Sequence, residues 1–225
     1  MTTKLYFHDA TTADTGILPS TIVETNATPT VTATGAATNR AMDTTAGATV
    51  VGATLASTAS TTFQANWFRR WVSAPLAAQT LGSTSVHWLF SIAGKTSNPT
   101  YSPWYAGLVC VSVWRPSTGA AVYRWNGAGV TTPTAGSFGS TLLNASGGSS
   151  ANANLLTFTC QDGDILVLEF FGYCTQSMAT GYTWTLYYDG TTDDSIISNA
   201  AYLISPTTLL WSTGSTPNSD FMAFF

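Results

Sequence analysis

Cys160-Gln161-Asp162-Gly163-Asp164-Ile165-Leu166-Val167-Leu168-Glu169-Phe170-Phe171 carries the signal that decides the fold class. From Ile165 to Phe171 it is apolar at both alternating sets of positions, Glu169 alone excepted. That fits a strand buried on both faces, or one whose outer face meets another subunit. Ahead of it, Asp162-Gly163 is a strong hairpin signal, and the run 155–160 precedes it. The spacing predicts a hairpin of 155–160 with 165–171.

The same period of two recurs on either side of this stretch. Trp67, Arg69 and Trp71 alternate with Phe68, Arg70 and Val72. Val86, Trp88, Phe90 and Ile92 share one face, as do Val109, Val111 and Val113. Arg115-Pro116-Ser117-Thr118-Gly119 reads as a turn, because Pro cannot continue a central ladder and Gly supplies positive φ. Residues 121–125 are expected to return antiparallel. Further on, Tyr182, Trp184, Leu186 and Tyr188 alternate up to an Asp189-Gly190 turn, and 196–204 and 209–211 supply the last strands. At the other end, residues 1–9 form a first strand with Leu5 and Phe7 on one face and Tyr6 and His8 on the other.

Residues 10–62 are thick with Thr and Ala and poor in large apolar side chains. Short β-prone pieces appear at 20–23, 30–34 and 49–55, as exposed strands or an extended arm lying on a neighbour. No helical stretch and no fixed-period repeat stands out. The expected architecture is therefore all-β: one antiparallel β-sandwich or jelly roll over residues 1–225. It comprises an extended Thr-rich N-terminal portion (1–62), a dense core (63–211) and a C-terminal tail (212–225).

Composition narrows the function classes. The chain has 225 residues, 44% of them hydrophobic and 12% aromatic, yet only 8% are charged. That hydrophobic content excludes disorder. The low charge leaves Thr, Ser, Asn and Gly to cover the surface, as suits particle subunits and extracellular proteins. Net charge is −4, and only Arg69-Arg70 form a basic pair, too little to neutralise a phosphate backbone. Nucleic acid is not an expected partner. Nor is a membrane: no run approaches the roughly 20 apolar residues of a spanning helix. The N-terminus has no signal-peptide core, so secretion is not indicated. Three cysteines, Cys110, Cys160 and Cys174, lack CxxC spacing and read as buried thiols, with a Cys160–Cys174 bridge as the alternative.

Catalysis needs positioned titratable groups, and few candidates emerge. His8 has only Asp9 beside it, which on a strand points to the opposite face; His87 has no carboxylate near it in sequence. Both read as half-exposed strand residues. Asp162 and Asp164 bracket a turn, where carboxylates bond local amides, so a glycosidase pairing with Glu169 is the weaker reading. Glu169 itself calls for an Arg partner, such as Arg115 or Arg124, because an unpaired buried carboxylate is costly. Asp189, Asp193 and Asp194 crowd one loop without EF-hand spacing, reading as solvated turn residues with calcium as the alternative. No cofactor motif is present. Trp104 and Tyr105, in a Pro-containing loop, are candidate glycan or partner contacts. At the C-terminus, Phe221, Met222, Phe224 and Phe225 follow a Gly/Ser/Pro spacer. They form either a last strand folded onto the sandwich or an inter-subunit anchor.

Lys4-Leu5-Tyr6-Phe7-His8-Asp9, Val113-Trp114-Arg115-Pro116-Ser117-Thr118-Gly119, Cys160-Gln161-Asp162-Gly163-Asp164-Ile165-Leu166 and Tyr187-Tyr188-Asp189-Gly190-Thr191-Thr192 resemble segments of tailed-bacteriophage virion proteins, those of cyanophage-like genomes especially. The resemblance spans the chain and carries no catalytic residues over. It implies a virion component: a capsid decoration (cement) protein stabilising the head lattice. The alternative is a tail, neck or fibre-base subunit, or a receptor- or glycan-binding module. The expected partners are other virion proteins (the major capsid protein, or tail and neck proteins) and the chain itself as a homo-oligomer. A charge-poor sheet protein with two lysines, Lys4 and Lys95, agrees with this, since uncovered edges would associate.

Overall fold

A computed structural model describes residues 2–12, 21–22, 31–32, 39–47, 51–57, 64–83, 88–96, 105–124, 143–147, 157–174, 182–189 and 202–213. Among them there is no helix; they form β1 (Lys4–Thr11), β2 (Thr21–Ile22), β3 (Val31–Thr32), β4 (Asn39–Asp43), β5 (Val51–Ser57), β6 (Gln64–Leu76), β7 (Gln79–Leu81), β8 (Leu89–Thr96), β9 (Tyr105–Arg115), β10 (Ala120–Arg124), β11 (Leu143–Gly147), β12 (Phe158–Cys160), β13 (Asp164–Cys174), β14 (Tyr182–Tyr188) and β15 (Tyr202–Ile204). One large sheet runs β10-β9-β13-β6-β4-β1-β15-β8-β14-β5, with β11 on β8. Two small ladders, β12-β7 and β2-β3, stand apart. Every pairing is antiparallel except β4 with β6.

The strand singled out in the sequence lies between β6 and β9, and both of its faces are covered. On one face Leu168 stands between Trp71 and Val111 in register; on the other Val167 stands between Val72 and Ser112. All six of these residues are buried. Continuous apolar residues are what such a position requires. On the first face Phe7 stacks on Trp71 with ring centroids 4.7 Å apart, and Trp71 meets Tyr188 edge-on at 5.2 Å. The β1 alternation holds, with Leu5 and Phe7 buried and Tyr6 and His8 less so.

Asp162-Gly163 does not close the expected hairpin. β12 pairs with β7, whereas β13 pairs with β6 and β9. The segments β6–β7 and β12–β13 therefore form one long antiparallel ribbon that turns a corner at residues 77–78 and 161–163. Gly163 sits at φ +86°, and its N–H donates to the Leu76 carbonyl at 2.9 Å, holding the two sides together through the bend. Asp164 fastens the corner: its carboxylate accepts two bonds from Arg115, 2.8 and 2.7 Å, and one from the Gln161 N–H at 2.8 Å. The local-amide role expected of Asp164 is thus present, while Asp162 is exposed. The other expected hairpin, β9 with β10, forms as read, with Gly119 at φ +62° closing its turn.

The N-terminal portion is not wholly an exposed arm. β4 lies inside the sheet between β1 and β6, burying Asn39 and Met42, and β5 pairs with β14. Met42 is level with Phe7, so one methionine ties this Thr-rich stretch to the apolar layer. Near the C-terminus, 209–211 contributes a single bridge, Leu76 to Trp211, rather than a full strand.

One slot in the sheet is filled twice. β11 occupies one edge of β8, and its other edge pairs with β15 through Ser91 to Tyr202 and with β14 through Ala93 to Tyr187. β15 also pairs with β1 over Lys4 to Tyr6. β14 and β15 thus lie end to end along one edge of β8, with β5 on the far side of β14 and β1 on the far side of β15; the chain leaves this line at Asp189, a non-glycine residue at φ +62°.

Candidate functional site

The end of β14 meets β1 and β4 at the one place where titratable side chains from distant segments gather among the described residues with a histidine at the centre. His8 Nδ1 lies 3.0 Å from Asp189 Oδ1, and His8 Nε2 forms an ion pair with Asp43 Oδ1 at 3.2 Å. The three side chains are 14%, 19% and 18% exposed, in the order His8, Asp189, Asp43. Alternation places them: His8 and Tyr6 share a face, and Asp43 is level with Tyr6. Asp189 arrives because its left-handed backbone swings the carboxylate back toward β1, where Oδ2 accepts the Asp9 N–H at 2.8 Å. Asp43 Oδ1 also accepts the Thr45 N–H at 2.7 Å.

Asp9 points away from His8, as strand geometry required. Its carboxylate accepts the Tyr188 hydroxyl at 2.6 Å and the Arg40 guanidinium. Arg40 also bonds the Asp9 carbonyl, and the Trp71 indole N–H donates to the His8 carbonyl at 3.1 Å. Gly47 closes the far side. A Cβ placed there would stand 1.8 Å from Asp189 Oδ1, so no larger residue fits while the carboxylate holds its position.

Electrostatics follow this geometry. Burial pushes the His8 ring toward its neutral form, but the bonds to Asp189 and Asp43 and their charges outweigh it, raising its pKa to about 9. For Asp189, burial favours the protonated acid, yet the His8 and Asp9 bonds and the His8 and Arg40 charges hold it below the ordinary carboxylate value. Burial raises the Tyr188 hydroxyl above its usual range, and donation to Asp9 adds to that.

The chemistry open to this arrangement is limited. With a carboxylate at each ring nitrogen, His8 has no lone pair aimed at solvent to act as a base. The two carboxylates sit on opposite edges of the imidazole, so the trio does not converge on one point. Among the described residues no group of three or more His, Cys, Asp or Glu side chains could hold a metal ion.

Other expected site residues are placed as follows. Glu169 pairs with Arg70, which donates from Nε at 3.1 Å and Nη2 at 2.8 Å, rather than with Arg115; the side chain of Arg124 lies outside what the structure describes. Arg115 is engaged instead by Asp164. The His8 expectation is corrected likewise: it is a mostly buried, doubly ion-paired residue. Asp189 is part of that trio rather than a solvated turn residue, while Asp193, Asp194 and His87 lie outside the described residues. Cys160 is a buried free thiol donating to the Ala77 carbonyl at 3.4 Å, so it forms no bridge to Cys174. Tyr105 begins β9 opposite Cys174, on a strand rather than in a loop. Trp104, Phe221, Met222, Phe224 and Phe225 lie outside the described residues.

Comparison with protein-family models gives no match, and comparison with curated proteins gives none.

Proposed function

We propose that the chain is a non-enzymatic structural protein of a tailed-bacteriophage virion, a capsid decoration protein folded as a sandwich or jelly roll. It would act as a homo-oligomer on the major capsid protein. The observation that carries this reading is the end of the large sheet. Among the described residues β5 has one partner, β14, and its sequence Val51-Gly52-Ala53-Thr54-Leu55-Ala56-Ser57 holds neither a charge nor a proline. Isolated proteins blunt such edges with Lys, Pro or bulges. An edge left neutral suits addition of a strand from a neighbouring subunit, an interaction of backbone bonds and buried area rather than chemistry.

A second support is where the charges go. Arg70–Glu169, Arg115–Asp164, Arg40–Asp9 and His8 with Asp43 and Asp189 are pairs within the chain. They fasten strands to one another. The test is the copy number of the chain in purified particles of the phage whose genome encodes it, by quantitative mass spectrometry. A fixed ratio to the major capsid protein is expected. A few copies per particle would move the chain to the neck, tail or fibre, and absence from particles would overturn a virion role.

A further inference from the structure

We propose that His8 is a charge-locked clasp joining β1, β4 and the end of β14, closed while its ring is an imidazolium and released when the ring loses its proton. A neutral imidazole has one N–H and one lone pair. Here a carboxylate oxygen stands 3.0 Å from Nδ1 and another 3.2 Å from Nε2, so a neutral ring would set its lone pair against one of them. Only the doubly protonated ring sets positive charge against both carboxylates, hydrogen-bonded to Asp189 through Nδ1 and ion-paired with Asp43 at Nε2. The two carboxylates come from segments 35 and 181 residues away, so one proton governs whether three strands are held together at this point.

The surrounding charges reinforce the lock. Asp43 and Arg40 face it from β4, Asp189 and Tyr188 from the end of β14, and Asp9 from β1 itself; Arg69 of β6 bonds the Tyr188 hydroxyl. Arg40 is held by Asp9. The Gly47 backbone packs against Asp189 and blocks retreat of the carboxylate on that side. A His8 pKa of about 9 agrees with this arrangement. Because the folded value lies above the unfolded 6.5, the clasp contributes fully below 6.5 and is lost as pH rises through about 9. This inference does not depend on the virion reading.

The test uses the full chain labelled with ¹⁵N-histidine, with His87→Gln assigning the His8 signals. The His8 nitrogens are expected to report an imidazolium at pH 8 and to deprotonate near 9. Between pH 6.5 and 9 the melting temperature should fall more in the wild-type chain than in His8→Gln. Titration of His8 near 6.5, or parallel melting curves for the two proteins, would overturn the clasp. Should His8→Gln fail to fold, Asp43→Asn and Asp189→Asn serve instead: each lowers the His8 midpoint if the clasp exists, and an unmoved midpoint in both overturns it.

Discussion

Glu169 and Arg70 stand opposite each other across the β13–β6 ladder, 2.8 Å apart and each 1% exposed. Asn39 of β4 is level with Arg70 and accepts from it at 3.4 Å, so a polar row crosses three strands inside the sheet. Desolvating two charges consumes most of their mutual attraction, so the pair contributes little net stability while making loss of one member severe.

Glu169→Gln should therefore destabilise the protein by about 3–5 kcal/mol in urea denaturation, because the buried Arg70 keeps its charge and loses the carboxylate that faces it. Combining it with Arg70→Met should recover most of that loss. A double variant as unstable as the single one would show that the loss arises from packing rather than from the stranded charge.

Gly47→Ala tests the close approach to Asp189. The added methyl must displace the carboxylate or the backbone, and the expected cost is about 1–3 kcal/mol. The same substitution should lower the His8 pKa toward 6.5, read by histidine NMR. A stable variant with His8 unmoved would mean that the strand ends yield freely here.

At the ribbon corner the cost should come from the backbone alone. Nothing lies within 4 Å of a Cβ built on Gly163, yet its φ is +86°. Gly163→Ala should cost about 1–2 kcal/mol in thermal unfolding, the penalty of a left-handed conformation for a residue with a Cβ. Gly119→Asn, at φ +62° in equally open space, should cost less, because Asn tolerates that region.

In acid the trio fails from the other side. The Asp189 carboxyl is held below its ordinary 3.8, so its contribution is present above that value and disappears as pH falls through the lower folded value. Asp189→Asn should remove this part of the acid-induced loss, seen as a shallower decline in melting temperature below pH 4 than in the wild-type chain. An unchanged acid profile would assign the loss to other carboxylates.

Strand periodicity made much of the sheet legible. The faces of β1, the double burial of β13 and the Arg115–Gly119 turn follow from alternation and turn chemistry over a few residues. β4 was illegible for the same reason: Asn39-Arg40-Ala41-Met42-Asp43 offers one large apolar side chain, and β1 and β6 on either side impose its strand state. Asp162-Gly163 signals a reversal, and the local backbone does bend. Whether the flanking strands pair with each other or with β7 and β6 depends on segments some eighty residues away. The His8 partners and the choice of Arg70 over Arg115 for Glu169 are equally non-local. The signal that could have raised them was the scarcity of charge itself: with so few ionic groups in a buried sheet, each needs a counterpart.

The end-to-end placement of β14 and β15 has a practical consequence for altering the molecule. Tyr187 and Tyr202 are anchored two positions apart on β8, opposite Ala93 and Ser91, so the chain departs from and rejoins a single line of the sheet. Register on each side is fixed by its own ladder, independently of how many residues connect them. A change that unseats β15 from β8 is therefore expected to leave β14 aligned on β8, and the reverse.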